Sequence, residues 1–119
     1  KPAILTEEIL LLQVGRHFQF PDGSRLIVGR RDEENQKLMN LRYKEDILLH
    51  VQGIPGPLGL LRENREEATL SLAASIVARY SKAKERDEVE VLYGLEVDPL
   101  SRSLWVKPAK DSQIVSLRF

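Results

Sequence analysis

A chain of 119 residues is the length of one domain and long enough for a modest core without staples. It has no cysteine, which excludes disulfides and thiolate chemistry and fits a reducing compartment, and no apolar run nears the roughly 20 residues of a membrane span. Lys and Arg number 18 against 18 Asp and Glu, so RNA could be held by phosphate charge only if the cations gather in a local patch.

Along the chain, "EILLLQVGRHFQF" (8–20), "PDGS" (21–24) and "RLIVG" (25–29) read as a β-hairpin around a Pro-Asp-Gly turn. Alternation puts Phe18 and Phe20 on one face and His17 on the other. "RRDEENQKLMNL" (30–41) reads as a short helix with Asp32, Glu33 and Glu34 in its first turn, Asp32 as its cap, and Leu38 and Leu41 on one face. "DILLHVQ" (46–52) is a strand of nearly continuous apolar character, as one covered on both faces should be. "GIPGPLG" (53–59) breaks it, and "LGLLR" resumes as another strand.

The clearest element is the helix over 66–85, where Thr69, Leu72, Ala73, Ile76, Val77, Tyr80 and Lys84 follow the i, i+3, i+4 spacing of a core stripe. Glu66 and Glu67 lie at its start and Lys82 and Lys84 at its end, as the helix dipole prefers. "EVEVLYG" (88–94) is a strand with Val89, Val91 and Tyr93 on one face, "VDPLSRS" a turn, and "LWVKP" (104–108) and "IVSLRF" (114–119) are closing strands. The whole reads as a single α+β domain over 1–119: a largely antiparallel sheet with an N-terminal hairpin, and one short and one long helix packed on it. No secretory-type leader opens the sequence, and a cytoplasmic setting is expected. Lys1 is the first residue and Met39 the only methionine, so the domain is expected to be cut from something larger.

Enzyme chemistry finds little equipment. His17 and His50 are the only bases beside the serines and threonines, and nothing resembles a nucleophile elbow. Two histidines and no cysteine make a poor zinc site, and "GRRDEEN" lacks the Gly-Lys-Ser/Thr ending of a P-loop. A small hydrolase would need a cluster around Asp46 and His50. The domain is therefore expected to be non-enzymatic and to hold no cofactor or metal.

Binding residues are easier to name, each beside a plainer reading. His50 in an apolar strand is by default a core histidine bonded to a neighbour. The loop after it raises its interest, because Gly53, Gly56 and Gly59 admit close approach while Pro55 and Pro57 stiffen the backbone. Arg30 and Arg31 can simply pair with the acidic first turn, Arg79, Lys82 and Lys84 can form a solvated helix end, and Trp105 can be core or rim.

The segment "LIVGRRDEENQKLMNLRYKEDILLHVQGIPGPLGLLR" (26–62) resembles the RNA-binding NFACT-R family, whose pattern runs Gly-Arg/Lys-Asn-Asn…Gln-Asn, then Asp-Ile-Trp-Leu-His, then Lys-Asp-Ile-Pro-Gly-Ser-His. Gly29, Arg30, Asn35, Asp46, Ile47, Leu49, His50, Ile54, Pro55 and Gly56 occupy matching places, and Ala73, Ala74, Tyr80, Ser81 and Lys84 match its Ala-Ala…Tyr-Ser-Lys helix. The resemblance covers residues 26–108, with 1–25 as a lead-in strand and hairpin. Leu48 replaces the family's tryptophan, Gly53 its acidic residue, Pro57-Leu58 its Ser-His, and Asp32 one asparagine. The basic stretch expected after Tyr93 is acidic to neutral.

The opening "EILLLQVGRHFQFPDGSRLIVGRRDEEN" is also similar to the region following the PP-loop ATPase domain of tRNA thiouridine synthase-like proteins. This resemblance implies a tRNA-binding accessory domain of a tRNA-modifying enzyme, partnered by tRNA or another structured RNA and by its own PP-loop domain. The alternative is a module docking on that PP-loop domain or on a sulfur carrier. The RNA-binding residues it implies are Arg30, Arg31, Asn35, His50, Gly53, Pro55, Gly56, Lys82 and Lys84. Arg and Lys would hold phosphates, and Asn35 or His50 would bond a base or a 2′-hydroxyl. Tyr43, Trp105 and Arg30 are the nearby planes on which a base could stack.

Overall fold

Leu26-Ile27-Val28, Leu48-Leu49 and Leu60-Leu61 are unbroken apolar runs, and successive side chains of a strand point to opposite faces. A sheet built from such runs needs cover on both sides. The computed structural model, which describes residues 6–63, 66–95 and 100–118 (of 6–8 only the backbone), supplies it. Its elements are α1 (Thr6–Leu12), β1 (Arg16–Gln19), β2 (Arg25–Val28), α2 (Asp32–Leu41), β3 (Ile47–Val51), β4 (Gly59–Arg62), α3 (Glu67–Arg79), β5 (Val89–Gly94), β6 (Arg102–Val106) and α4 (Asp111–Val115).

The strands form a six-stranded sheet in the order β1-β2-β4-β3-β5-β6, with every neighbouring pair antiparallel. Leu26, Val28, Leu49, Val51 and Leu61 meet Ala73, Ala74, Ile76 and Val77 of α3 in one core. Ile27, Leu48 and Leu60 point the other way and join Leu11 of α1 and Leu38 of α2 in a second. Each of these fully buried leucines and isoleucines contributes about 1.5–3 kcal/mol by leaving water. The α+β architecture expected from the sequence is the one found, with the added feature that helices cover both faces.

Three expectations are corrected. The apolar start of "EILLLQVGRHFQF" is not strand: its first part is α1, and β1 begins only at Arg16. Asp32 does not cap α2, because Arg31 holds the N-cap position without a side-chain bond and Asp32 is the first helical residue. Over its described residues the closing "IVSLRF" is not a strand either. Ile114 sits in α4, buried in the first core, and among the described residues strand-like pairing is limited to a bridge between Phe18 and Arg118.

The long helix also ends sooner than its stripe suggests. The Ser81 hydroxyl donates to the Ala78 carbonyl at 2.6 Å and accepts the Ala83 N–H at 3.0 Å, a local bonding pattern that competes with another helical turn. Residues 81–85 therefore form a turn, and Lys82 and Lys84 lie outside the helix. Part of the expected 97–103 turn, residues 97–99, lies outside the described residues, while Arg102 and Ser103 already belong to β6.

Candidate nucleic-acid interface

The ends of β2 and α3, the start of α2 and the Ile54–Leu58 loop meet beside the N-terminal end of β1. They enclose a cavity of about 340 Å³ lined by Arg16, Gly29 to Asp32, Asn35, Pro55 to Pro57, Tyr80 to Lys82 and Lys84. Three structural devices build it.

The first is Asn35. Its carboxamide reaches across to the loop, Oδ1 accepting the Leu58 N–H at 3.1 Å and Nδ2 donating to the Gly56 carbonyl at 3.4 Å. Gly29 makes this possible, since a Cβ there would run into Asn35 Oδ1. Asn35 thus holds the loop against α2 rather than presenting a free amide to a base. The second device is the turn after α3. Ser81 and Ala83 are buried while Lys82 and Lys84 are exposed, so the alternation turns both ammonium groups outward. Their position just past the helix C-terminus is also favoured by its dipole.

The third is a layered pair. The Arg16 guanidinium lies 4.5 Å from the centre of the Tyr80 ring, and Tyr80 in turn packs against Phe18 at a ring separation of 6.0 Å. A guanidinium backed by a ring is a flat cationic surface of the kind on which bases stack.

Charge in the cavity is one-sided. Among the described residues, Arg16, Arg30, Arg31, Lys82 and Lys84 line it against the single carboxylate of Asp32. Arg30 is neutralised by Glu34: Nε donates to Oε1 at 3.0 Å, Nη2 to Oε2 at 2.7 Å, and the Arg30 N–H to Oε1 at 2.9 Å. These bonds, led by the Arg30 side chain, hold the Glu34 carboxyl down at about 2. The other four cations make no ion pair among the described residues.

Of the residues singled out from sequence, Arg30, Arg31, Asn35, Pro55, Gly56, Lys82 and Lys84 come together here. His50 and Gly53 do not. His50 is half-buried in β3, opposite Leu92 of β5, on the sheet face away from α3. Gly53 is exposed in the turn after β3, with φ of +71° and nothing within 4 Å of a built Cβ, so the turn's left-handed backbone and not a close contact requires glycine. The stacking planes differ as well. Tyr43 is covered by the Arg62 guanidinium at 3.8 Å, and Trp105, 63% exposed on β6, lines a separate cavity with Lys107 and Lys110. Arg16 and Tyr80 supply the plane, and no local signal marked Arg16, which reaches the site only through the sheet. Nor do Asp46 and His50 make an acid–base cluster, because Asp46 is buried and bonded to Arg62.

Comparison with known proteins adds the lineage. Rqc2 homolog RqcH of Bacillus subtilis (strain 168) is 33% identical over 78 residues, 64% of this chain and 14% of that protein. The structure of the C-terminal of the fibronectin/fibrinogen-binding protein from Streptococcus suis superposes with a TM-score of 0.80 at 22% identity, over 90% of this chain and 50% of that one, and shows a shared fold. The chain thus spans a small part of its curated relative's length. The expected thiouridine synthase-like PP-loop fusion, with its tRNA-modifying role and its PP-loop partner, is overturned: the relative is RqcH, an NFACT protein. A model of the family described as NFACT protein RNA binding domain matches residues 15–118, and the chain belongs to that family.

Proposed function

We propose that the domain binds RNA through the cavity between α2, the Ile54–Leu58 loop and the turn after α3. One observation carries this reading: in a chain of zero net charge, four cations without acidic partners among the described residues converge on one concave site. Arg31, Lys82 and Lys84 hold phosphate oxygens, the Arg16–Tyr80 pair offers a plane to an unpaired base, and the loop lies close enough for backbone contacts. The family's description supports the ligand class, and tRNA or another structured RNA with unpaired residues is the ligand we propose. The reading is of a binding module.

The test is a titration of isotope-labelled protein with tRNA, following backbone amide shifts at low and moderate salt. Shifts should cluster on 29–35, 55–58 and 80–84, spare Gly53, and fade as salt rises. Arg31→Ala, Lys82→Ala and Lys84→Ala should each weaken binding to every RNA tried and lower the slope of log K against log salt by about one. Absence of shifts even at low salt would overturn the reading.

A further inference from the structure

Asp32 is out of place in a phosphate site. It is the first residue of α2, exposed, and among the described residues the only acid lining the cavity. Its neighbours in the same helical turn are both neutralised, Glu33 by Lys37 at 3.4 Å and Glu34 by Arg30, whereas the Asp32 carboxylate has no hydrogen bond or ion pair among the described residues. An acid at a helix start favours the dipole, but Glu33 and Glu34 already serve that end. A site shaped for phosphate alone gains nothing from a carboxylate that repels it.

We infer that the cavity accepts an unpaired guanosine of RNA, with Asp32 reading the base; the inference rests on the RNA-binding reading above. An ionised carboxylate only accepts hydrogen bonds, through two oxygens side by side. Among the four bases in their neutral forms, only guanine offers two adjacent donors on one edge, N1–H and the 2-amino group. Adenine, cytosine and uracil each set an acceptor beside their donor on that edge. The remaining parts suit the same ligand. The Arg16 guanidinium over Tyr80 gives the purine a plane, and Arg31, Lys82 and Lys84 remain for the flanking phosphates. A volume of about 340 Å³ stands at the small end of ligand cavities, which run from about 300 to 1,000 Å³, and suits one nucleotide rather than a duplex.

The test measures binding of the 119-residue chain to fluorescent octaribonucleotides at low salt: all-uridine, and the same strand with one central guanosine, adenosine, cytidine or inosine. The guanosine strand should bind about tenfold tighter than the others, as a bidentate base contact would give. Inosine, which lacks the 2-amino donor, should lose much of that gain with the protein unaltered. Asp32→Asn, with its fold checked by its amide spectrum, should bring the guanosine strand down to the affinity of the rest. Equal affinity for all strands, or a guanosine preference that survives in Asp32→Asn, would overturn the inference and leave RNA binding standing. Failure to bind any strand while tRNA still binds would overturn the inference alone, and failure with tRNA as well would overturn both. Free GMP binding as tightly as the guanosine strand would overturn the assignment to RNA.

Discussion

Asp46 and Arg62 face each other inside the protein, 2% and 5% exposed, in a two-pronged pair of 3.0 and 2.6 Å. The carboxylate also accepts the Tyr43 N–H at 2.7 Å, and the guanidinium lies over the Tyr43 ring. Such a pair, set against apolar packing, adds little by itself, but removing the carboxylate takes both of these bonds from a guanidinium that stays buried. Asp46→Ala should therefore cost about 3–5 kcal/mol. Urea unfolding would read this, and a cost below about 1 kcal/mol would mean Arg62 finds another acceptor. The aspartate's place four residues before a histidine made it look chemical; its burial shows it to be structural. Sequence alone could not separate the two, since Arg62 lies 16 residues on and only the pairing of β3 with β4 brings it near.

At the level of elements, α2 carries most of the site's construction, and its first turn gives a pH signature. Glu34 titrates at about 2 in the folded protein against an ordinary value of 4.5, so the folded state binds its proton less readily than the unfolded state does. Its contribution to stability is complete above about pH 4.5 and fades as pH falls toward 2. Glu34→Gln should lower the melting temperature at neutral pH and flatten its decline between pH 5 and 2, by scanning calorimetry. An unchanged acid limb would show that the Arg30 pair contributes nothing to stability. α2, β3 and β4 could be seen in the sequence because each has an unambiguous boundary: three acids at a helix start, or a Gly-Pro loop that no ladder tolerates. α1 and α4 could not. "EILLL" and "IVSLRF" are short apolar runs whose composition suits strand and buried helix alike, and their partners across the fold decide between them. The site divides the same way. The loop, its neighbours around Gly29 and the Tyr80–Lys84 stretch are marked by residue type, whereas Arg16 and Asp32 become neighbours of Tyr80 and Lys82 only once the sheet and both helices are assembled.

For the whole molecule, the segment after β6 has a reach out of proportion to its size. Ala109 N–H bonds the Ser75 carbonyl of α3 at 2.9 Å, Arg79 pairs with Asp111, and the Leu117 carbonyl accepts the Gln19 N–H of β1 at 2.9 Å. The segment thus leaves one edge of the sheet, crosses α3 and closes on the other edge. Ile114, 6% exposed, anchors the crossing in the first core. Ile114→Ala should cost about 2–4 kcal/mol and speed amide exchange along β1 beyond that of β3. Uniform loss of protection across the sheet would argue against a local latch.

That crossing also sets an order on biosynthesis. A chain emerging from the ribosome can pair all six strands once Val106 is free, yet its β1 edge stays open until Leu117 and Arg118 arrive to cover it. Until then the nascent domain exposes an unpaired strand next to Phe18, a template onto which a second unfinished chain can add. A chain ended at Val115, with Ile114 kept in the core, would therefore fold but stick to itself, rather than fail to fold.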